Sequence, residues 1–256
     1  ASRQFGGTSN LWGARCQPLD PIDFESRPWV PGSAWPIAHQ ELARWVPRAC
    51  ELLSCGQPVF EDATGLPANA DRRISISRME RFSIQPRMQV AHRQRLENDP
   101  RVDIRLGCTV VDAKGMGTGR LSALMVCTSD GKRHEVPVRT VVLAMGGLET
   151  TRLLLVLQRA APSLFGGVGG PLGRHYMAHL VGEVADITFV DDVMDRAYDF
   201  FEDGRGSYAR RRFIPSDQAQ RESALPNVAF WPVVPQVSDP SHRSGLLSTV
   251  FLAMAI

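Results

Sequence analysis

The residues best spaced for chemistry lie between Thr140 and Leu155. Val141-Val142-Leu143-Ala144 is an almost wholly apolar run of the kind a sheet buries on both faces; it ends at Gly146-Gly147, and a helix opens at Glu149-Thr150-Thr151. Glycines at the carboxyl end of a parallel strand let a ligand approach the amides that a helix start leaves free, which is the geometry of a nucleotide site. An ordinary strand-turn-helix has the same pattern, so the stretch alone leaves both readings open. Glu149 is read first as a cap on its own helix, with a contact to a cofactor-side loop as the alternative. A second passage, from Phe5 through Gly6-Gly7-Thr8-Ser9-Asn10-Leu11 to Trp12-Gly13, joins small residues to an aromatic. That suits a tight backbone turn followed by an anchor in apolar surroundings.

Other constellations read as ordinary structure. Gly167-Val168-Gly169-Gly170-Pro171-Leu172-Gly173 imitates a dinucleotide loop, but it follows a helix and loop instead of a strand, and Pro171 removes an amide. His175 and His179 stand four apart as on a zinc helix, yet Tyr176-Met177-Ala178 between them holds no Glu to act as base, so a structural role is expected and no metal. Arg210-Arg211-Arg212 sits in a segment that also carries Glu202, Asp203 and Asp217, and a solvated face is expected. The five cysteines, Cys16, Cys50, Cys55, Cys108 and Cys127, are odd in number and contain no C-x-x-C pair. Reduced, buried thiols follow, with neither a disulfide framework nor a zinc site.

The elements that must position these residues change along the chain. Pro18 to Pro36 is an irregular, proline-rich connection. From His39 to Leu53 the apolar positions Leu42, Trp45, Val46, Ala49, Leu52 and Leu53 have helical spacing, which Pro47 should divide into two short pieces. Gly56 to Arg73 reads as loop, and Pro86 to Asn98 as a helix with proline in its first turn. Val102–Leu106, Thr109–Ala113, Leu121–Cys127, His134–Val138 and Thr140–Ala144 are short β-favouring runs between glycine turns, and Glu149 to Arg159 is a helix. Leu180 to Val190 reads as a long strand, and the last thirty residues favour strands broken by Pro232, Pro235 and Pro240.

Composition bounds the function. With 256 residues and 43% apolar content the chain has enough material for one or two globular domains. A net charge of +2 creates no field that would gather nucleic acid or an anionic membrane. The basic residues are Arg except Lys114 and Lys132, a bias given no functional weight. No apolar run approaches the roughly 18 residues of a membrane span. The opening Ala1-Ser2-Arg3 and the closing apolar run to Ile256 read as interruptions, so the true start is expected to be missing; a cytoplasmic location is the expectation.

Five segments resemble, in order, those of glucose-methanol-choline (GMC) oxidoreductases. Phe5 to Gly13 resembles the flavin-facing glycine segment, and Trp35-Pro36-Ile37 with Glu41-Leu42 resembles the segment that follows in the sugar- and polyol-oxidising branch. Val102 to Val110 is similar to the adenine-side strand, Val142 to Leu154 to the V-L-A-x-G-G-x-E-T-x-R-L-L signature, and Gly173-Arg174-His175-Tyr176-Met177-Ala178-His179 to the entry into the substrate domain. The resemblance implies an α/β protein with α+β elements. An incomplete Rossmann-like FAD-binding domain (1–25 and 84–172) would be joined by a connecting or lid region (26–83) to part of a substrate domain with a mostly antiparallel sheet (173–256).

The same resemblance implies FAD as cofactor, with Gly6, Gly7, Thr8, Ser9, Asn10 and Trp12 along the flavin, Val110 offering its backbone to the adenine, and Ala144 and Gly146 lining the adenosine side. Leu11 stands where some relatives attach flavin through a His, so attachment is expected to be non-covalent. The implied activity is oxidation of a CH–OH group of a sugar, polyol or other alcohol, with oxygen, a quinone or a cytochrome as electron acceptor. The family's G-x-G-x-x-G and its catalytic His are not found here, so no catalytic residue is assigned and the chain alone is expected to be inactive. A lyase or hydratase on the same scaffold, or a non-catalytic remnant or binding module, are the alternatives.

Overall fold

The computed structural model describes residues 2–69, 71–202, 204–233, 237–238 and 244–255. In chain order the elements are β1 (Arg15–Cys16), α1 (His39–Ala43), α2 (Val46–Leu53), β2 (Ile74–Ser75), β3 (Met79–Phe82) and α3 (Met88–Asn98). There follow β4 (Cys108–Lys114), β5 (Ala123–Thr128), β6 (Arg133–Pro137) and α4 (Gly146–Ala160). The last third holds α5 (Asp192–Ala197), β7 (Phe201–Glu202), β8 (Tyr208–Arg211), β9 (Ile214–Pro215), α6 (Asp217–Glu222) and α7 (Gly245–Ala255). This is a mixed α+β chain, and every strand pairing among the described residues is antiparallel.

The chain divides into two compact units, Ala1–Leu11 with Gln89–Val184, and Trp12–Met88 with Ala185–Ile256. Their borders lie after residues 11, 88 and 184. In the first unit β4, β5 and β6 form a three-stranded meander, with a bulge at Val111 between the pairs Val110↔Val126 and Asp112↔Met125. Helix α4 packs on β4 and buries Leu153 and Leu157.

The second unit is built on a four-stranded sheet in the order β1-β3-β8-β7, with β2 and β9 paired beside it. Pro47 lies in the first turn of α2, where its missing amide costs nothing, so the proline starts the second helical piece and does not kink a single one. The division of 39–53 into two helices is therefore as the spacing predicts. The 3-10 turn Pro21–Phe24 is closed by Asp23, whose Oδ2 accepts from the Asp20 amide at 3.0 Å.

Several expectations fail for one physical reason: a β-favouring run becomes a strand only if a partner completes its ladder. Residues 102–106 and 141–144 have no ladder among the described residues, and Val142 is 84% exposed where burial on both faces is expected. The meander thus has three strands where five runs are β-favouring. Residues 180–190 are likewise unpaired, with Leu180, Val181 and Val184 exposed and Gly182, Glu183 and Asp186 interrupting the apolar pattern. The end of the chain forms α7 instead of a strand. Ser244 Oγ accepts from the Leu247 amide at 3.3 Å, a helix-starting contact, and apolar periodicity cannot separate the two states in so short a run. Pro235 and Pro240 lie outside the described residues.

Candidate functional site

The glycine segment at 5–10 forms a 3-10 helix over Gly7–Asn10, entered through Gly6 in the left-handed region (φ +83°). Asn10 holds this turn in shape. Its Nδ2 donates to Phe5 O at 2.8 Å and to Gly7 O at 3.3 Å, and its Oδ1 accepts from the Gln89 amide at 2.8 Å, tying the turn to the start of α3. Every polar atom of the Asn10 side chain is thereby used. Ser9 Oγ donates to Gly6 O, and Thr8 and Ser9 face solvent.

The glycines differ in what requires them. A Cβ on Gly6 would meet Asn10 Nδ2 at 2.6 Å, so the Asn10 clasp alone demands glycine there. Gly7 (φ +55°) would meet nothing nearer than Ser2 O at 3.8 Å, and Gly146 (φ +75°) has nothing within 4 Å. At those two positions no neighbouring atom excludes a side chain, and the backbone lies open to an approaching group.

Gly146 is the first residue of the 15-residue helix α4, whose opening amides carry no side-chain cap. Glu149, expected to cap that helix, instead accepts from Arg152 Nε at 2.9 Å, a pair one turn along the same face. Among the described residues no side chain caps the α4 start, which opens on Gly146. Ala144 lies just before it, exposed, and Val110 sits half-buried on β4 where the ladder register shifts.

Trp12 belongs to the second unit and is spent on packing. Its Nε1 donates to Pro86 O at 2.6 Å, and its ring covers the buried thiols of Cys16, Cys50 and Cys55. Cys108 is exposed and Cys127 half-buried, so the expectation of buried thiols fails for these two: β4 and β5 form a thin meander without a covering layer at those positions. Gly167 to Gly173 is a self-packed loop, pinned to α4 by Gln158 Nε2, which donates to Leu164 O at 2.8 Å and Gly167 O at 3.0 Å. His175 and His179 are exposed, and among the described residues no three His, Cys, Asp or Glu side chains are grouped to hold a metal.

The arginine triplet reverses its expected role. Arg210, Arg211 and Arg212 are only 7, 7 and 6% exposed. Pairing in register with Glu80 on β3, Arg210 donates its Nε to Glu80 Oε1 at 3.0 Å and lies over the rings of Phe200, at 4.8 Å, and Trp231, at 5.3 Å. Arg15 Nε approaches the other Glu80 oxygen at 3.4 Å, so one fully buried carboxylate stands between two guanidinium groups. Arg211 projects from the opposite face and donates to the carbonyls of Asp62, Thr64 and Ala197 at 3.1, 2.9 and 3.0 Å. Burial pulls the Arg212 guanidinium down to about 10, opposed by the facing Glu80 and Asp20 carboxylates.

These arginines satisfy loop carbonyls and a buried acid, which is structural work. The sequence signal for them is faint: Glu80 between Met79 and Phe82, and aromatics at 200, 201 and 231, whereas the pairing spans 130 residues. No helix among the described residues is long and apolar enough to cross a membrane. No protein-family model, curated protein or solved structure matches the chain.

Proposed function

We propose that the chain supplies part of the FAD-binding wall of a flavin-dependent oxidoreductase of the GMC type, acting on a CH–OH group of a sugar, polyol or other alcohol. The observation that carries the reading is the pair of open left-handed glycines, Gly7 and Gly146, at the two segments whose sequences resemble the family's cofactor contacts. Neither glycine is demanded by a neighbouring atom, and Gly146 stands at the start of a long helix with uncapped amides, a setting suited to an anionic nucleotide. The turn at 6–9 would lie along the flavin, with Asn10 holding that turn in shape, and Val110, Ala144 and Gly146 would line the adenosine side.

When bound, FAD supplies the two-electron acceptor for the alcohol carbon; the chain's share is to bind and orient it. No residue is assigned as the base that takes the hydroxyl proton, and oxygen, a quinone and a cytochrome stand equal as final acceptor. A Rossmann-like arrangement belongs to this proposal, because it needs residues 141–144 to join a parallel sheet.

Titration of the purified chain with FAD, followed by flavin fluorescence, tests the reading. Saturable binding is expected, with ADP competing and with weaker binding by Gly146→Val, which fills the open position. No binding by the folded chain would overturn it.

A further inference from the structure

The sheet of the second unit gathers arginines on one face. Side chains alternate along a strand, so the register that sets Arg15 opposite Phe82 and Arg210 opposite Glu80 puts all four on the same side. One step beyond the pair Met79↔Arg211, Arg212 lies beside Arg78, its amide donating to Arg78 O at 3.0 Å. Residues 78 and 212 fall on the same face as 80 and 210 by this alternation, and the Arg212 guanidinium is faced by the charges of Glu80, Asp20, Arg78 and Arg15. Four guanidinium groups therefore converge on this face.

Acids match only part of that charge. Glu80 accepts from Arg210 and has Arg15 Nε at 3.4 Å, and Asp20 stands 3.4 Å from Arg78 Nη1. Asn227 Nδ2 donates at 3.0 Å to both Asp20 and Asp23, and Asp23 is matched in turn by Arg27 at 3.4 Å. The network thus holds five guanidinium groups against three carboxylates, while Glu61, 3.8 Å from Arg78, is exposed and screened by water. An excess of two positive charges is costly in a protein interior, and arginine does not relieve it by losing its proton at neutral pH. Two buried atoms of this face also lack a hydrogen-bond partner among the described residues, the donor Arg212 Nε and the acceptor Glu80 Oε2. Arg212 is 6% exposed and Glu80 0%, so bulk water does not serve them.

We propose that this face binds a hydrogen phosphate ion, held between Arg212 and Glu80 with Arg15 and Arg78 at its entrance. The ion's two negative charges equal the excess, and its oxygens accept from guanidinium forks. Its hydroxyl donates, so one ion answers both the unpartnered donor and the unpartnered acceptor. Sulfate has the same charge and shape but no proton, and would turn a lone pair toward the Glu80 carboxylate. A phosphomonoester dianion fails for the same reason. Entry is from solvent past Arg15 and Arg78, whose side chains are 42 and 31% exposed, whereas that of Arg210 is 8% exposed. The Trp231 ring lies 4.2 Å from the Arg15 guanidinium and 5.3 Å from that of Arg210, close enough to report on the site. All these residues belong to the second unit, so the proposal stands apart from the FAD reading.

The test uses the full chain, with sodium chloride replaced stepwise by sodium phosphate at constant ionic strength and mildly alkaline pH, where hydrogen phosphate prevails. Tryptophan emission and the urea midpoint it reports are measured. A saturable change in both is expected, with sodium sulfate and glycerol phosphate binding at least about tenfold more weakly, the effect of one charge-assisted hydrogen bond. Arg78→Gln, at the entrance, is expected to weaken phosphate binding at least about tenfold. Arg221→Gln, which removes only an exposed pair with Glu25, is expected to leave it unchanged. Equal responses to phosphate and chloride would mean that water alone bridges Arg212 and Glu80, and would overturn the proposal. So would sulfate or glycerol phosphate binding as tightly as phosphate, or an undiminished response in Arg78→Gln. The wild-type comparison of the anions decides the matter even where Arg78→Gln does not fold.

Discussion

The two units solve the burial problem in opposite ways. The unit of Trp12–Met88 and Ala185–Ile256 buries charge: Glu80, Arg81, Arg210, Arg211 and Arg212 are all inside and nearly all their contacts are made. The unit of Ala1–Leu11 and Gln89–Val184 buries Ala123, Leu153, Leu157 and Gln158 and, among the described residues, no charged side chain. A buried ion lattice specifies one arrangement, because each charge is costly without its partner. A small meander with one packed helix stabilises only the residues it covers, and the extended segments beside it are free to accept a further layer or a ligand.

The sharpest way to break this contrast is to remove its central acid. Glu80→Ala strands Arg210 and Arg15, and the cost to the second unit is expected to be roughly 3–5 kcal/mol, with most of it recovered by Glu80→Leu with Arg210→Met. Urea unfolding followed by tryptophan fluorescence reads this unit alone, since Trp12, Trp29, Trp35, Trp45 and Trp231 all belong to it. An effect under 1 kcal/mol, on the scale of about 0–1 kcal/mol for an exposed pair, would mean that the carboxylate is solvated.

In the first unit, Leu153→Ala opens the α4–β4 packing and is expected to cost roughly 2–5 kcal/mol, whereas Val142→Ala should change stability by no more than about 0.5 kcal/mol. Amide hydrogen exchange in α4 measures both. Equal costs would show that 141–144 is covered.

Alkaline pH separates the units next. Burial lifts Cys50 from 9.0 to about 12 and Tyr198 from 10.0 to about 12, so the folded state keeps protons that the unfolded chain releases. The stability is fully present below pH 9 and is lost as pH rises through about 12; Cys16, held down by Cys55, acts in the opposite sense. The urea midpoint read by tryptophan should fall across that window, and Cys50→Val should flatten the slope. Gly146→Ala is expected to cost about 1–2 kcal/mol from placing a side chain at positive φ, seen as a lower melting temperature of the first unit.

What could be read from sequence follows from the range of the forces involved. Helices α2, α3 and α4 were legible because apolar spacing and proline position act within a turn or two. Residues 102–106, 141–144 and 180–190 were not, because strand formation depends on partners far along the chain, and none pairs with them among the described residues. The arginine triplet misled for the same reason. Its charges look solvated until Glu80, 130 residues away, is set opposite Arg210. At the proposed site the sequence shows Gly7 and Gly146 only as glycines in two turns, whereas the internal work of Asn10 and the packing of Trp12 against thiols appear only in three dimensions.

The central claim is that the open glycine segments of the first unit receive the cofactor. Hydrogen exchange of the full chain with and without FAD tests it most directly. The account predicts slower exchange at residues 6–9 and 144–148 when FAD is added, with β3 and β8 unchanged. No slowing at either glycine segment, or slowing confined to the second unit, would contradict it.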